Sequence, residues 1–392
     1  MSVPKLIEEF YPSIPSNFNY RHLGPFHYGG AVYVVWQEVN TPFDLIVVKN
    51  ADPITTDAWT EQVNLTNPGQ YSNFRVSVWR EGSDLHIVHG DTSKDLSYSV
   101  FSMASDTLTT TDELIIAAVY DPLGSCIIRS DGDLVVTYGQ QEKVHGTNYT
   151  RRMCAYNDGT WTTEVSLDAG GETNYGNLTS GLFAGTSGRV SGIWSTTSTL
   201  LTITSAYGFN LQATYWGYHN KDHDNTTGDT MYFHYESGDT PTDLQVGTYT
   251  SADTMPSAPT WEDVNTTFGR RNSTGGMTFF DPVSGDLWLL YENLQVAEEH
   301  YLYIVKKTGG TWGAPIEIRG TFEDAYTDTA QHVNWDLNHI MGVEAWADGA
   351  DTIVGYLVGD NLNDGPVYDQ VTISAAGAEP VFHRRQLTTV RM

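Results

Sequence analysis

Apolar residues come in short runs along the chain, often alternating with polar ones, and clusters of Gly, Asp, Asn and Ser break the runs. This pattern predicts strands joined by tight turns, and no segment sustains a helical period. The clearest unit reads as four strands, "GGMTFF", "DLWLLY", "HYLYIVKK" and "APIEI", with "VSGD" and "KTGG" as turns. Residues 128–167 echo residues 279–318. With Leu287 placed over Leu134, a Gly-Asp step precedes each (Gly285-Asp286, Gly132-Asp133). Each apolar run then reaches a tyrosine (Tyr291, Tyr138), and each copy closes on Gly-Thr-Trp at Trp312 and Trp161. The Leu-to-Trp spacing is 25 residues in one copy and 27 in the other. Agreement over this length marks a repeated structural unit.

Weaker copies keep the same phase. "GGAVYVVWQ", "FDLIVVKN" and "WTEQVNL" make one unit, and "FRVSVW", "SDLHIVHG", "LSYSVFSM" and "DELIIAA" the next. Second strands are expected to begin near residues 31, 85, 134, 189, 287 and 352. The long gap after 189 calls for one more unit, assembled from "LQATYWG", "TMYFHY" and "LQVGTYT". Seven four-stranded units of about 50 residues each fit an all-β fold of the β-propeller type, because a lone meander has two apolar faces and buries both only by stacking between neighbours. Six or eight blades stay open, since the stretch from 190 to 280 does not phase, and a pair of β-sandwiches is the alternative architecture. Residues 1–25, with Pro4, Pro12, Pro15 and Pro25, read as an extended arm, residues 26–380 as one propeller domain, and residues 381–392 as a basic tail. That tail (Arg384, Arg385, Arg391) reads as a solvated end, with a ring-closing strand or an anchor onto an acidic neighbour as the sharper alternatives.

Charge narrows the partners. Lys plus Arg total 20 against 48 Asp plus Glu, a formal charge of −28, which disfavours nucleic acid and anionic membrane surfaces. Hydrophobic residues at 40% give enough material for a core. The first residues show neither a basic n-region nor an apolar h-region, so no export signal is expected, and no apolar run of membrane-spanning length occurs. Yet the wealth of Tyr, Trp, Thr, Asn and Gly is that of an exposed extracellular β-protein. A virion component, assembled in the host cytoplasm and released by lysis, reconciles the two. Cys126 and Cys154 fall on the first and third strands of one unit, too far apart to bond, so two free buried thiols are expected.

The "SDGDLVVTY" and "SGDLWLLY" runs, with the "DGTW" and "GGTW" turns at 158–161 and 309–312, resemble the blades of sialidase-like propellers that carry BNR or Asp-box repeats. The resemblance implies the propeller fold. Sialidases of that superfamily hold a substrate carboxylate with three arginines, and Arg75, Arg129, Arg189 and Arg271 are the rim candidates here, read first as salt-bridging residues. Their spacing does not reproduce the family's set, so no catalytic role is carried over. Propeller lyases that resemble this scaffold use His and Tyr as base and acid, which makes His89, His145 and Tyr138 the candidate catalytic residues, with His219 a further histidine.

The loop "YHNKDHDNTTGD" gathers Asp222, Asp224 and Asp229, an oxygen-rich turn suited to calcium, although its spacing is not that of an EF-hand. Trp36, Trp194, Trp216, Tyr218 and His219 are candidate glycan-stacking residues, with packing between blades as the plain alternative. Phosphate loops, nucleotide fingerprints, zinc spacings and serine-hydrolase elbows do not occur. The reading is a non-enzymatic virion propeller, structural, decorating or receptor-binding, on head, tail or fibre, with other virion proteins and host-surface glycan as partners. A virion-borne polysaccharide depolymerase and a cytoplasmic interaction scaffold are its rivals.

Overall fold

The computed structural model describes residues 24–37, 45–53, 59–65, 76–90, 95–117, 121–128, 134–144, 147–157, 160–161, 165–166, 180–184, 190–194, 198–203, 209–215, 218–219, 226–227, 230–236, 244–249, 260–265, 276–296, 299–323, 340–360 and 365–374. Among them every regular element is a strand, and the strands form seven antiparallel sheets that follow one another along the chain. The first sheet is β1 (Phe26–Tyr28), β2 (Ala31–Gln37), β3 (Leu45–Asn50) and β4 (Thr60–Leu65). The second is β5 (Val76–Glu81), β6 (Asp84–Gly90), β7 (Leu96–Ser102) and β8 (Thr107–Ile116). The third is β9 (Asp121–Ile128), β10 (Leu134–Val144), β11 (Thr147–Asn157) and β12 (Val165–Ser166). The fourth is β13 (Ser180–Ala184), β14 (Val190–Trp194), β15 (Ser198–Ile203) and β16 (Phe209–Tyr215).

The fifth sheet runs β17 (Tyr218–His219), β19 (Thr230–Glu236), β20 (Leu244–Tyr249), β21 (Thr260–Asn265), with the short β18 (Thr226–Thr227) paired to β19. The sixth is β22 (Gly276–Phe280), β23 (Leu287–Val296), β24 (Glu299–Thr308) and β25 (Thr311–Trp312), with β26 (Ile316–Glu323) also on β24. The last is β27 (Ile340–Asp348), β28 (Asp351–Asp360) and β29 (Gly365–Ile373).

The predicted phase holds. Second strands begin at Ala31, Asp84, Leu134, Val190, Leu287 and Asp351, each within a residue of its expected start, and the missing unit supplies β19. Leu134 and Leu287 open equivalent strands, as the repeat requires. Three expectations need correction. "LQATYWG" belongs to β16, the last strand of the fourth sheet, and does not open the fifth. β8 starts at Thr107, five residues before the expected "DELIIAA". The sheets are not uniformly four-stranded: the fifth and sixth each gain a short strand, and the last has three strands among the described residues. Cys126 and Cys154 lie opposite Val136 and Thr137, on either side of β10, so a strand separates them as expected.

Among the described residues, apolar side chains fill the spaces between the first and second, second and third, fifth and sixth, and sixth and last sheets. Val35, Val47, Val76, Leu85, Ile87 and Phe101 join the first sheet to the second. Leu290, Ile304, Val354 and Tyr356 join the sixth to the last. The repeated tryptophans do the same work. Trp161 packs edge-on to Tyr98 of the second sheet at 5.7 Å, and Trp312 packs against the cluster that contains Val246 and Val264 of the fifth. Each tryptophan thus bridges its own sheet to the one before it, which accounts for the repeated Gly-Thr-Trp.

First strands meet first strands: β5 touches β9, β9 touches β13, β22 touches β27, and β27 touches β1. The last contact brings the final sheet against the first. Ties between neighbours also join turn to turn. Asp281, in the β22–β23 turn, accepts from Val283 N–H at 2.8 Å and from Ser284 Oγ at 2.7 Å, and takes the Thr352 hydroxyl at the start of β28. Asp106, in the β7–β8 turn, accepts from Tyr33 Oη at 2.8 Å and from Lys49 Nζ at 2.6 Å. The first-to-second and third-to-fourth turns therefore share one face of the molecule. Several of these turns are tight, and Gly29-Gly30 and Gly309-Gly310 supply the positive φ angles that two-residue hairpins demand. The second-to-third turns lie on the opposite face.

Gly355 shows how closely the last sheet is fitted. A Cβ there would sit 2.8 Å from Trp346 Cζ3 and 2.9 Å from Tyr368 Oη, both on buried or half-buried rings. Gly355→Ala is expected to cost about 1–3 kcal/mol by overpacking. A thermal melt of that variant matching the parent would show that the two rings can yield.

Candidate site where the inner strands meet

The inner edges of the first, second and last sheets converge on four residues: His27 of β1, Arg80 of β5, and Glu344 and Trp346 of β27. The local reasons are simple. The Gly29-Gly30 turn pairs Tyr28 with Ala31, so antiparallel alternation turns the N–H of His27 away from β2, towards the open edge. Glu344 fills that edge: its Oε2 accepts from the His27 N–H at 2.7 Å. Its other oxygen accepts from the Arg80 guanidinium, whose Nε also donates to the Gly82 carbonyl at 2.9 Å. One carboxylate thereby ties three sheets across the three-residue β1.

Trp346 is held from both sides. His27 stacks on it with ring centroids 4.3 Å apart and planes 4° from parallel, and Gly355 lies against its six-membered ring. Burial pushes the His27 imidazole down to about 4; the positive charge of Arg80 adds to this and Asp348 opposes it. At neutral pH the ring is uncharged.

His89, on β6, is 4% exposed. Its Nε2 lies 3.3 Å from Ser99 Oγ and 3.3 Å from Asp112 Oδ1, and its Nδ1 has no hydrogen-bond partner among the described residues. A nucleophile–base–carboxylate relay needs its two partners on opposite ring nitrogens. Here both share Nε2, and Ser99 is fully buried. Asp112 sits in the left-handed region at φ 48°, its N–H donating to Ser99 Oγ at 3.0 Å, beside a break in the β7–β8 register. The hydrogen bond from His89 chiefly holds the Asp112 carboxyl below its ordinary range, against burial. The cluster pins a bulge in an outer strand.

The other sequence-derived candidates are placed by strand only. Trp36, Tyr138, Trp194, Tyr218 and His219 lie on β2, β10, β14 and β17. His145, Trp216, Asp222, Asp224, Asp229, Arg75, Arg129, Arg189 and Arg271 fall outside the described residues. Among the described residues no group of three or more His, Cys, Asp or Glu is placed to hold a metal ion. The sequence reading missed His27, Arg80, Glu344 and Trp346; an Arg at the end of a first strand was the available signal.

No family model matches the chain, and no curated protein matches it. Solved structures do. The β-propeller domain of the trilobed protease from Pyrococcus furiosus matches with a TM-score of 0.47 and 10% identity, over 95% of this chain and 99% of that one. The polysaccharide lyase Uly1 matches with a TM-score of 0.47 and 9% identity, over 95% and 94%. A Trypanosoma rangeli sialidase matches with a TM-score of 0.42 and 10% identity, over 90% of this chain and 55% of the sialidase. At these identities no residue role passes from those proteins to this chain.

Proposed function

We propose that the seven sheets close into a β-propeller and that the chain is a non-enzymatic component of a virus particle, which it decorates or with which it binds host-surface glycan. One observation carries the non-enzymatic reading. Where the inner strands converge, the described charged groups are spent on one another: Glu344 holds Arg80 and the His27 N–H, and His27 is covered by Trp346. The particle setting rests on the exposed-type composition and on a rigid disc that displays loops on both faces. Calcium at Asp222, Asp224 and Asp229 belongs to the same proposal.

A polysaccharide depolymerase is the second reading, and the nearness of a neutral His27 to Arg80 is what favours it. The test is a glycan-array and depolymerisation screen of the purified protein, with calcium and with chelator. Binding without product release is expected, with chelator sensitivity if calcium orders the 222–229 loop. Product release that disappears in His27→Phe or His89→Ala would overturn the non-enzymatic reading.

A further inference from the structure

In the third sheet the β10–β11 hairpin outruns its neighbours. β9 last pairs with it at Asp121–Gly139, and β12 pairs only with Met153 and Cys154. Beyond those pairs, residues 140–144 and 147–151 continue as a two-stranded ribbon through five more cross-strand pairs, from Gln140–Arg151 to Val144–Thr147. Neither edge of this ribbon has a strand beside it among the described residues. It reaches about 17 Å past the sheet. A two-stranded ribbon with both edges open is at best marginally stable in water, so contact with something else would order it.

Its composition points to that something. Apart from Val144, Gly146 and Tyr149 the ribbon is polar. With its base it carries Lys143, Arg151 and Arg152 against Glu142 alone, a formal charge of +2 excluding His145, in a chain of −28.

We infer that the 140–151 ribbon is a docking arm for a second copy of this chain, received by the tight-turn face of that copy. Copies of a −28 protein repel one another, and a projecting basic element is what offsets that repulsion locally. The arm leaves from the face that carries the second-to-third turns. Stacking two such faces would set arm against arm. A second copy turned the same way instead presents its tight-turn face, where Glu81 and Asp348 are exposed. The contact is head-to-tail, so it propagates into a column or ring of discs rather than stopping at a dimer. Backbone groups along the ribbon edges add hydrogen-bonding capacity to the charge match.

This inference builds on the reading of the chain as a particle component, yet it is measured apart from glycan binding. Sedimentation of the full chain at low and at 0.5 M salt (about 4 Å Debye length) should show concentration-dependent assembly that salt dissolves. Lys143→Glu/Arg151→Glu/Arg152→Glu should raise the dissociation constant at least about tenfold with an unchanged circular dichroism spectrum. The charge-keeping Arg151→Lys/Arg152→Lys should still assemble, which separates lost docking from a misfolded arm. Glu81→Lys/Asp348→Lys should also be monomeric, and mixing it with the arm-reversed variant should restore assembly. A parent that stays monomeric at low salt, or an arm-reversed variant that assembles like the parent, overturns the inference. A monomeric parent whose arm instead retains acidic polysaccharide overturns it too, and assigns the arm to glycan.

Discussion

Glu344→Ala is expected to be the most damaging single substitution among the described polar residues. It removes the acceptor of the His27 N–H and leaves the Arg80 guanidinium without its carboxylate. The side chains of Arg80 and Glu344 are 29% and 18% exposed, so neither lone group is fully stranded from water. A cost of about 2–3 kcal/mol follows, below the range for a wholly buried pair broken on one side. The loss should appear as a fall of several degrees in Tm and as faster proteolysis in the first and last sheets, whose contact it loosens. Glu344→Gln keeps an oxygen for the N–H and loses the charge, so it should fall between. Arg80→Leu/Glu344→Leu should recover the part due to the stranded guanidinium, because no charge is then left unpaired, while the His27 N–H still lacks its acceptor. A Glu344→Ala protein with the parent's Tm would mean that the junction is held by apolar packing and the His27–Trp346 stack alone.

Much of the fold was legible because a strand's period and its turns are local properties. The Leu134 and Leu287 strands and the Gly-Thr-Trp turns were placed by spacing alone, and the tryptophans bridge to the preceding sheet in both copies. The misreadings have physical causes. β8, "TLTTTDELII", is an outer strand whose residues are mostly exposed, so its first half lacks the apolar signal that announces a strand. "LQATYWG" has the composition of a first strand, and alternation gives a strand's faces but not its neighbour, so it was assigned to the wrong sheet. The candidate site was the least legible part. β1 has only three residues, and its key contact joins positions 317 apart. Nothing in the local pattern of His27 or Glu344 announces that they meet. Histidine-rich and aspartate-rich loops attract attention in a sequence, whereas a single Glu on a first strand does not.

Acid is expected to weaken the molecule in two stages, and His27 sets the first. Its folded-state value of about 4 lies below its ordinary 6.5, so the folded protein resists a proton that the unfolded chain accepts. The resulting stability is complete above about pH 6.5, declines as pH falls from 6.5 to 4, and changes no further below that for this group. The difference corresponds to at most about 3 kcal/mol, and the half-buried ring brings the expected loss nearer to about 2 kcal/mol. Arg80 deepens the effect by repelling the imidazolium, and Asp348 softens it. The second stage belongs to carboxylates. Burial raises Asp106 and Asp281, but their hydrogen bonds outweigh it and hold both below the ordinary 3.8; for Asp286 the bond from Lys306 does so. Their stabilisation is present above pH 3.8 and is lost as pH drops through the lower folded values. The measurement is the denaturation midpoint from pH 8 to 3 for the parent and for His27→Phe, which keeps the stack on Trp346 without a titrating nitrogen. Subtracting the two profiles cancels His86, which burial also lowers against Glu81 and Asp84, and every other shared group. The difference should slope between pH 6.5 and 4 and be flat elsewhere. A flat difference throughout would show that His27 reaches water freely, and the first and last sheets would then be joined more loosely than the Trp346 stack implies.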